Sequence, residues 1–177
     1  MLAEINTMEH LKKNLHMGPG YGGYVELLNA LALPKSEWEE FCSWEKGNYT
    51  RNCISSCEDY ELLLLCWQEE QASPIHNFDF QEGWIKVLQG ELTIDTYEVD
   101  RDEKTATKKG SLVLKSGEST YLNDSMGFHK VANPLGQKTV SLHLNIGPVK
   151  KWEVFNESKK EMDTVEPKID QRSKDCE

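Results

Sequence analysis

The sequence predicts a mainly β fold preceded by a few helices, and three observations carry that expectation. Apolar residues recur at helical spacing only in the first part of the chain. From Tyr49 onward the pattern changes to short β-branched or aromatic segments bounded by turn residues. After Phe155 the chain turns polar, through Glu157-Ser158-Lys159-Lys160-Glu161 and then Gln171-Arg172-Ser173-Lys174-Asp175.

In order, residues 3–16 read as an amphipathic helix with Ile5, Met8, Leu11 and Leu15 on one face. Met17-Gly18-Pro19-Gly20 breaks it. Tyr24 to Leu33 is a second helical segment, ended at Leu33-Pro34 because proline disfavours a helical residue before it. Ser36-Glu37-Trp38-Glu39 has the form of a capping box, which predicts a third helix to about Trp44. The strand segments are 48–54, 60–67, 83–88, 92–99, 111–114, 119–122, 130–132 and 139–146. Short strands at such regular spacing point to a sandwich or barrel. Asp100-Arg101-Asp102-Glu103-Lys104 is a charged hairpin tip. We expect one structural unit, with residues 1–47 a helical segment packed on a barrel of residues 48–155. Residues 156–177 are expected to be a frayed, disordered tail.

Composition excludes some functions. The 177 residues suit a single domain with a sizeable core. The formal charge of -10 argues against nucleic acid and anionic membranes as partners. The longest apolar run, Leu62 to Trp67, is too short to span a bilayer. Met1-Leu2-Ala3-Glu4 has no basic region followed by an apolar block, so no signal peptide is expected. The cysteines, at 42, 53, 57, 66 and 176, are odd in number, which predicts unlinked thiols in a reducing cytosol. Cys53 and Cys57 do not have zinc-knuckle spacing.

The candidate site residues lie at strand entries. His76 follows Ser73-Pro74, and His129 lies between Gly127-Phe128 and Lys130-Val131. In Val140-Ser141-Leu142-His143-Leu144-Asn145, alternation puts Ser141, His143 and Asn145 on one face and the apolar residues on the other. Trp67, Trp84 and Trp152 read as packing residues.

Six blocks carry a family resemblance: Tyr49-Thr50-Arg51-Asn52, Leu64-Leu65-Cys66-Trp67, Ser73-Pro74-Ile75-His76, Leu88-Gln89-Gly90, Tyr121 to His129, and Ser141-Leu142-His143-Leu144. In order and spacing the chain resembles the cysteine dioxygenases from about residue 34 to 149. The resemblance implies a small cupin (jelly-roll-like) β-barrel with N-terminal α-helices. It implies a mononuclear iron(II) enzyme that adds both atoms of O2 to the sulfur of L-cysteine, giving cysteine sulfinate, in cysteine catabolism and taurine biosynthesis. His76 matches the first metal ligand and His129 the third, neutral imidazoles being suited to iron(II). Arg51 matches the residue that pairs the substrate carboxylate. Tyr49 and His143 match positions that contact substrate or orient the site, and Ser141 matches the hydroxyl beside His143. A cytoplasmic monomer is expected.

The chain departs from that pattern at three places. Phe78 stands where the family's second histidine ligand lies, and phenylalanine cannot coordinate. Gly83 and Asn145 stand where a cysteine and a tyrosine are crosslinked. With two imidazoles, iron(II) would be held weakly, unless Asp79 or Glu82 completed a two-histidine, one-carboxylate face. On a regular strand Asp79 points away from His76 and Phe78, so a bulge is needed to turn it in. Three functions remain open at this point. The first is an active thiol dioxygenase. The second is a non-catalytic cupin that binds cysteine or another small anion, or serves as an interaction module. The third is a metal enzyme acting on another substrate.

Overall fold

The computed structural model describes residues 3–79 and 81–177; the expectation about the N-terminal leader rests partly on Met1 and Leu2, outside that range. Two short helices come first, α1 (Met8–Met17) and α2 (Gly23–Asn29). Twelve strands follow among the described residues: β1 (Thr50–Ser56), β2 (Tyr60–Trp67), β3 (Ile75–His76), β4 (Glu82–Gln89), β5 (Glu91–Asp100), β6 (Thr105–Lys115), β7 (Ser119–Asn123), β8 (Phe128–Ala132), β9 (Thr139–Ile146), β10 (Trp152–Asn156), β11 (Glu161–Val165) and β12 (Gln171–Arg172). They form two six-stranded sheets, ordered β12-β1-β2-β9-β4-β7 and β11-β10-β3-β8-β5-β6. No described helix is long and apolar enough to cross a membrane.

The helices lie against the outer face of the first sheet. Leu11, Leu15, Leu27 and Leu28 pack there with Leu62, Leu64, Leu142 and Leu144, all nearly fully buried. A second apolar cluster fills the space between the sheets, with Leu63, Leu65, Ile85, Val87, Ile94 and Val131 among its members. Neighbouring strands therefore send alternate residues to opposite sides, the period-two geometry of a pleated strand.

The helical region corrects three expectations. Helix α1 starts at Met8, not residue 3. Thr7 caps it, accepting from the His10 amide at 3.2 Å. Ile5 lies outside the helix in a bridge to Leu31, donating to the Ala30 carbonyl at 2.8 Å. That bridge also ends the second helical segment at Asn29, short of Leu33. The third helix is replaced by two 3-10 turns, Lys35–Glu37 and Glu39–Phe41, with no side-chain cap. Glu37 instead accepts from the Met8 amide at 2.8 Å. A local capping motif has thus been used to close the start of a distant helix.

The expected frayed tail forms strands. β11 pairs with β10, and β12 runs parallel to β1 with Asn52 opposite Gln171. This brings Cys176 to Cys53, and the two are disulfide-bonded with Cα atoms 6.2 Å apart. The expectation of unlinked thiols holds only for Cys42, Cys57 and Cys66. The reason is the long-range pairing of β12, which cysteine spacing does not contain.

Candidate functional site

The site is a cavity between the sheets. Arg51 enters from the start of β1, Trp67 from the end of β2, His143 and Asn145 from β9, and Trp152 from the start of β10. His76 and His129 face each other across β3 and β8 as directly paired residues. Gly127 helps place His129. Its φ of +89° and the 2.6 Å between an added Cβ and the Tyr97 carbonyl leave room only for glycine.

All three histidines are buried around the cavity, and two of them lie side by side. The His76 and His129 ring centroids are 4.4 Å apart. His76 Nδ1 donates to the Pro74 carbonyl at 2.8 Å. A carbonyl only accepts, so Nδ1 carries the proton and Nε2 keeps its lone pair. His129 Nε2 is buried with no hydrogen-bond partner. His143 Nε2 is 2.9 Å from Ser141 Oγ, which in turn accepts from Trp67 Nε1 at 2.9 Å. Ser141 Oγ, already accepting from Trp67, gives its own proton to Nε2, so the His143 proton sits on Nδ1.

Burial fixes the charge state. It lowers the pKa of His76 to about 4, with Arg51 adding to the effect. It lowers His143 to about 3, again with help from Arg51 and then His76. His129 falls well below its ordinary value for the same reason, with His76 and His143 as further repulsions. All three are neutral imidazoles at neutral pH. Burial also pushes the Tyr49 phenol up to about 12, so it stays protonated. Tyr49 stacks on Trp67 with centroids 4.2 Å apart.

Arg51 is buried and held on several sides. Its guanidinium lies 4.9 Å over the Trp152 ring, and Nη1 donates to the Lys168 carbonyl at 3.3 Å. Its backbone N–H donates to Asp170 at 2.8 Å. The tail thus closes the Arg51 end of the cavity. The inner cavity has a volume of about 30 Å³, room for about two waters. Tyr49, Arg51 and Trp152 also wall an outer groove of about 320 Å³ along the tail.

The expected metal ligands are only partly brought together. The Phe78 ring sits against the histidines, its centroid 4.3 Å from that of His129 and 5.9 Å from that of His76. Neither proposed substitute reaches them. Glu82 shares its strand face with Trp84, and its carboxylate accepts from the Tyr121 hydroxyl. Asp79 has a positive φ of 55° but faces Lys151 at 3.9 Å. Asp79 and Glu82 line a separate surface hollow with Glu58 and Asp59. Among the described residues no three His, Cys, Asp or Glu side chains converge as a metal site. The orphaned His129 Nε2 suits a metal, but the donor set does not fit a three-ligand iron centre, because an apolar ring occupies the place of the third donor.

Gly83 and Asn145 lie opposite each other on β4 and β9. A Cβ on Gly83 would come within 2.8 Å of Asn145 Oδ1 and 3.0 Å of the Leu144 carbonyl. The Asn145 amide therefore fills the space over the glycine, and no covalent link is possible between them. Three contributors were not singled out from sequence. Glu61 is buried and accepts from Asn145 Nδ2 at 3.0 Å. Its signal was present, an acid in the apolar strand Tyr60–Trp67 at the same parity as Leu63 and Leu65. Trp152, assigned to packing, lies 4.4 Å from the His76 ring and lines the cavity. The Lys168–Asp170 segment had no local signal.

Two sheets closing around a partly polar interior define a cupin, or double-stranded β-helix, barrel. A protein with a double-stranded β-helix domain from Klebsiella pneumoniae shares this fold at a TM-score of 0.55, with 12% identity over 67% of this chain and 94% of that one. A family model described as cysteine dioxygenase type I matches residues 24–158. Cysteine dioxygenase type 1 of Danio rerio is 29% identical over 168 residues, covering 90% of this chain and 84% of its own. The Homo sapiens protein of that name is 30% identical over 134 residues, covering 74% and 67%. The chain belongs to the cysteine dioxygenase type I family.

Proposed function

We propose that this chain is a non-catalytic member of that family, whose Arg51 pocket binds cysteine or a similarly small polar ligand without a resident metal. The observation that carries this reading is Phe78, whose ring lies against His129 where a third nitrogen donor is required. Around it the binding apparatus is retained. Arg51 offers a desolvated fork for a carboxylate, and His143 is locked by Ser141 with its Nδ1 proton available as a donor. A ligand of amino-acid size spans the inner cavity and the outer groove, which requires Trp152 or Phe78 to turn aside.

A second reading is the family's own activity, oxidation of L-cysteine by O2 to cysteine sulfinate at iron(II). It is favoured by one observation, the unpartnered His129 Nε2 beside the free lone pair of His76. One experiment separates the two. Metal content and cysteine sulfinate formation are measured for the natural protein and for Phe78→His, each supplied with iron(II), L-cysteine and O2. The expected result is no stoichiometric iron and no sulfinate for the natural protein, with iron binding at least tenfold tighter in F78H, in line with the weight of single groups around metals. Sulfinate from the natural protein overturns the non-catalytic reading in favour of the second.

A further inference from the structure

Glu61 is a buried carboxylate that neither reading above uses. It lies on β2 with Leu63 and Leu65 facing the interior, and it is 6% exposed. Its Oε2 is 3.9 Å from Arg51 Nη2 and accepts from Asn145 Nδ2, in the cavity wall, at 3.0 Å. The other contacts of the guanidinium are uncharged: the Lys168 carbonyl and the Trp152 ring. Asp170 is a second acid that acts on Arg51. Its carboxylate is occupied by the Arg51 backbone N–H and, at 2.6 Å, by Lys168 Nζ. The histidines around the cavity are neutral. The pocket wall therefore carries one buried positive charge, Arg51, and behind that wall lies one buried negative charge, Glu61, against Arg51 and Asn145.

We propose that Glu61 is a selectivity residue, making the pocket prefer a ligand with one positive and one negative group, an α-amino-acid zwitterion, over one with a carboxylate alone. This rests on the binding reading above and names the ligand class for it. The reason is electrostatic. A lone carboxylate placed on Arg51 leaves a net negative charge buried, because Glu61 is already there, and an uncompensated buried charge is strongly disfavoured. A lone ammonium leaves a net positive charge. A zwitterion brings both signs and leaves the sum at zero. The charge pair also takes over a balancing role in a pocket without a metal. Glu61 is a positioning residue here, acting through Arg51 and Asn145.

The test is calorimetric binding of three probes in the presence of EDTA, which removes any contribution from metal. L-cysteine carries both charges, 3-mercaptopropionate only the carboxylate, and cysteamine only the ammonium. The natural protein is expected to bind L-cysteine at least tenfold tighter than either single-charge probe. Glu61→Gln keeps an oxygen for Asn145 and removes the charge, so 3-mercaptopropionate should gain at least tenfold relative to L-cysteine. A residue that only maintained the fold would weaken all three probes together and leave their ratios unchanged. If 3-mercaptopropionate binds the natural protein as tightly as L-cysteine, the inference is overturned while the binding reading stands. The same holds if E61Q keeps the natural ranking. If no probe binds the natural protein, both fall. Should E61Q fail to fold, the ranking in the natural protein decides alone.

Discussion

Strands β2, β4 and β9 show two faces built to opposite rules. The face toward the helices carries Leu62, Leu64 and Cys66, then Trp84, then Val140, Leu142 and Leu144. The face toward the interior carries Glu61, Gly83, Ser141, His143 and Asn145 among its apolar residues. Both faces are equally buried, so burial does not separate them. The outer face gains stability from apolar area removed from water. The inner face spends part of that gain on polar groups that must find partners, and it does so with specific pairs: Trp67 with Ser141, Ser141 with His143, Asn145 with Glu61. Phe78, just after β3, sets an apolar ring against His129 on the other side of the same cavity.

The comparison is sharpest where one residue is taken from each face. Leu142→Ala, at a fully buried position on the helix side, is expected to cost roughly 2–5 kcal/mol in denaturant unfolding and to leave ligand selectivity unchanged. Of these two faces, acid should attack the inner one, which holds the buried His143. His76 and His143 have folded pKa values of about 4 and about 3, below the ordinary 6.5. Between those values and 6.5 the unfolded chain binds more protons, so stability is full above about 6.5 and is lost as the pH falls toward 4 and 3. At pH 5 the loss should be about 2 kcal/mol for each histidine, measured as the change in unfolding midpoint between pH 7 and 5. Ser141→Ala should cost roughly 1–3 kcal/mol, because the buried Trp67 N–H loses its acceptor. It should also free the His143 tautomer, visible in the side-chain nitrogen shifts; an unchanged tautomer would remove Ser141 from its orienting role. Lys86→Met tests a buried long polar side chain on the outer face, whose Nζ donates to the Leu28 carbonyl at 2.8 Å. The lost bond and the relieved burial of charge oppose each other, so a change within about 1 kcal/mol is expected.

The alternation that separates these faces was legible in the sequence, because side-chain parity is a local property. It correctly divided Ser141, His143 and Asn145 from Val140, Leu142 and Leu144. Applied to β4, the same parity places Glu82 with Trp84 and Lys86 on the helix side, which explains why it cannot reach His76. The strands with strong apolar patterns, such as 60–67 and 139–146, were found at their observed bounds. What escaped depended on distant partners. Glu37 reads as part of a local cap but serves Met8. β12 is two residues long and has no pattern of its own. Its existence follows from hydrogen bonds to β1, and with it follow the disulfide and the closure over Arg51.

That closure constrains when the pocket can exist. The Arg51 amide and its Asp170 partner are 119 residues apart in sequence. During synthesis, at roughly 5–20 residues per second, the first barrel strand is made many seconds before the segment that completes its edge. The nascent barrel must wait with β1 as an open edge, a template for mispairing until β12 arrives. Contacts of such long sequence separation also slow folding. The order of assembly is thus written into the pocket: its three histidines can meet once β9 is made, and its arginine is enclosed last.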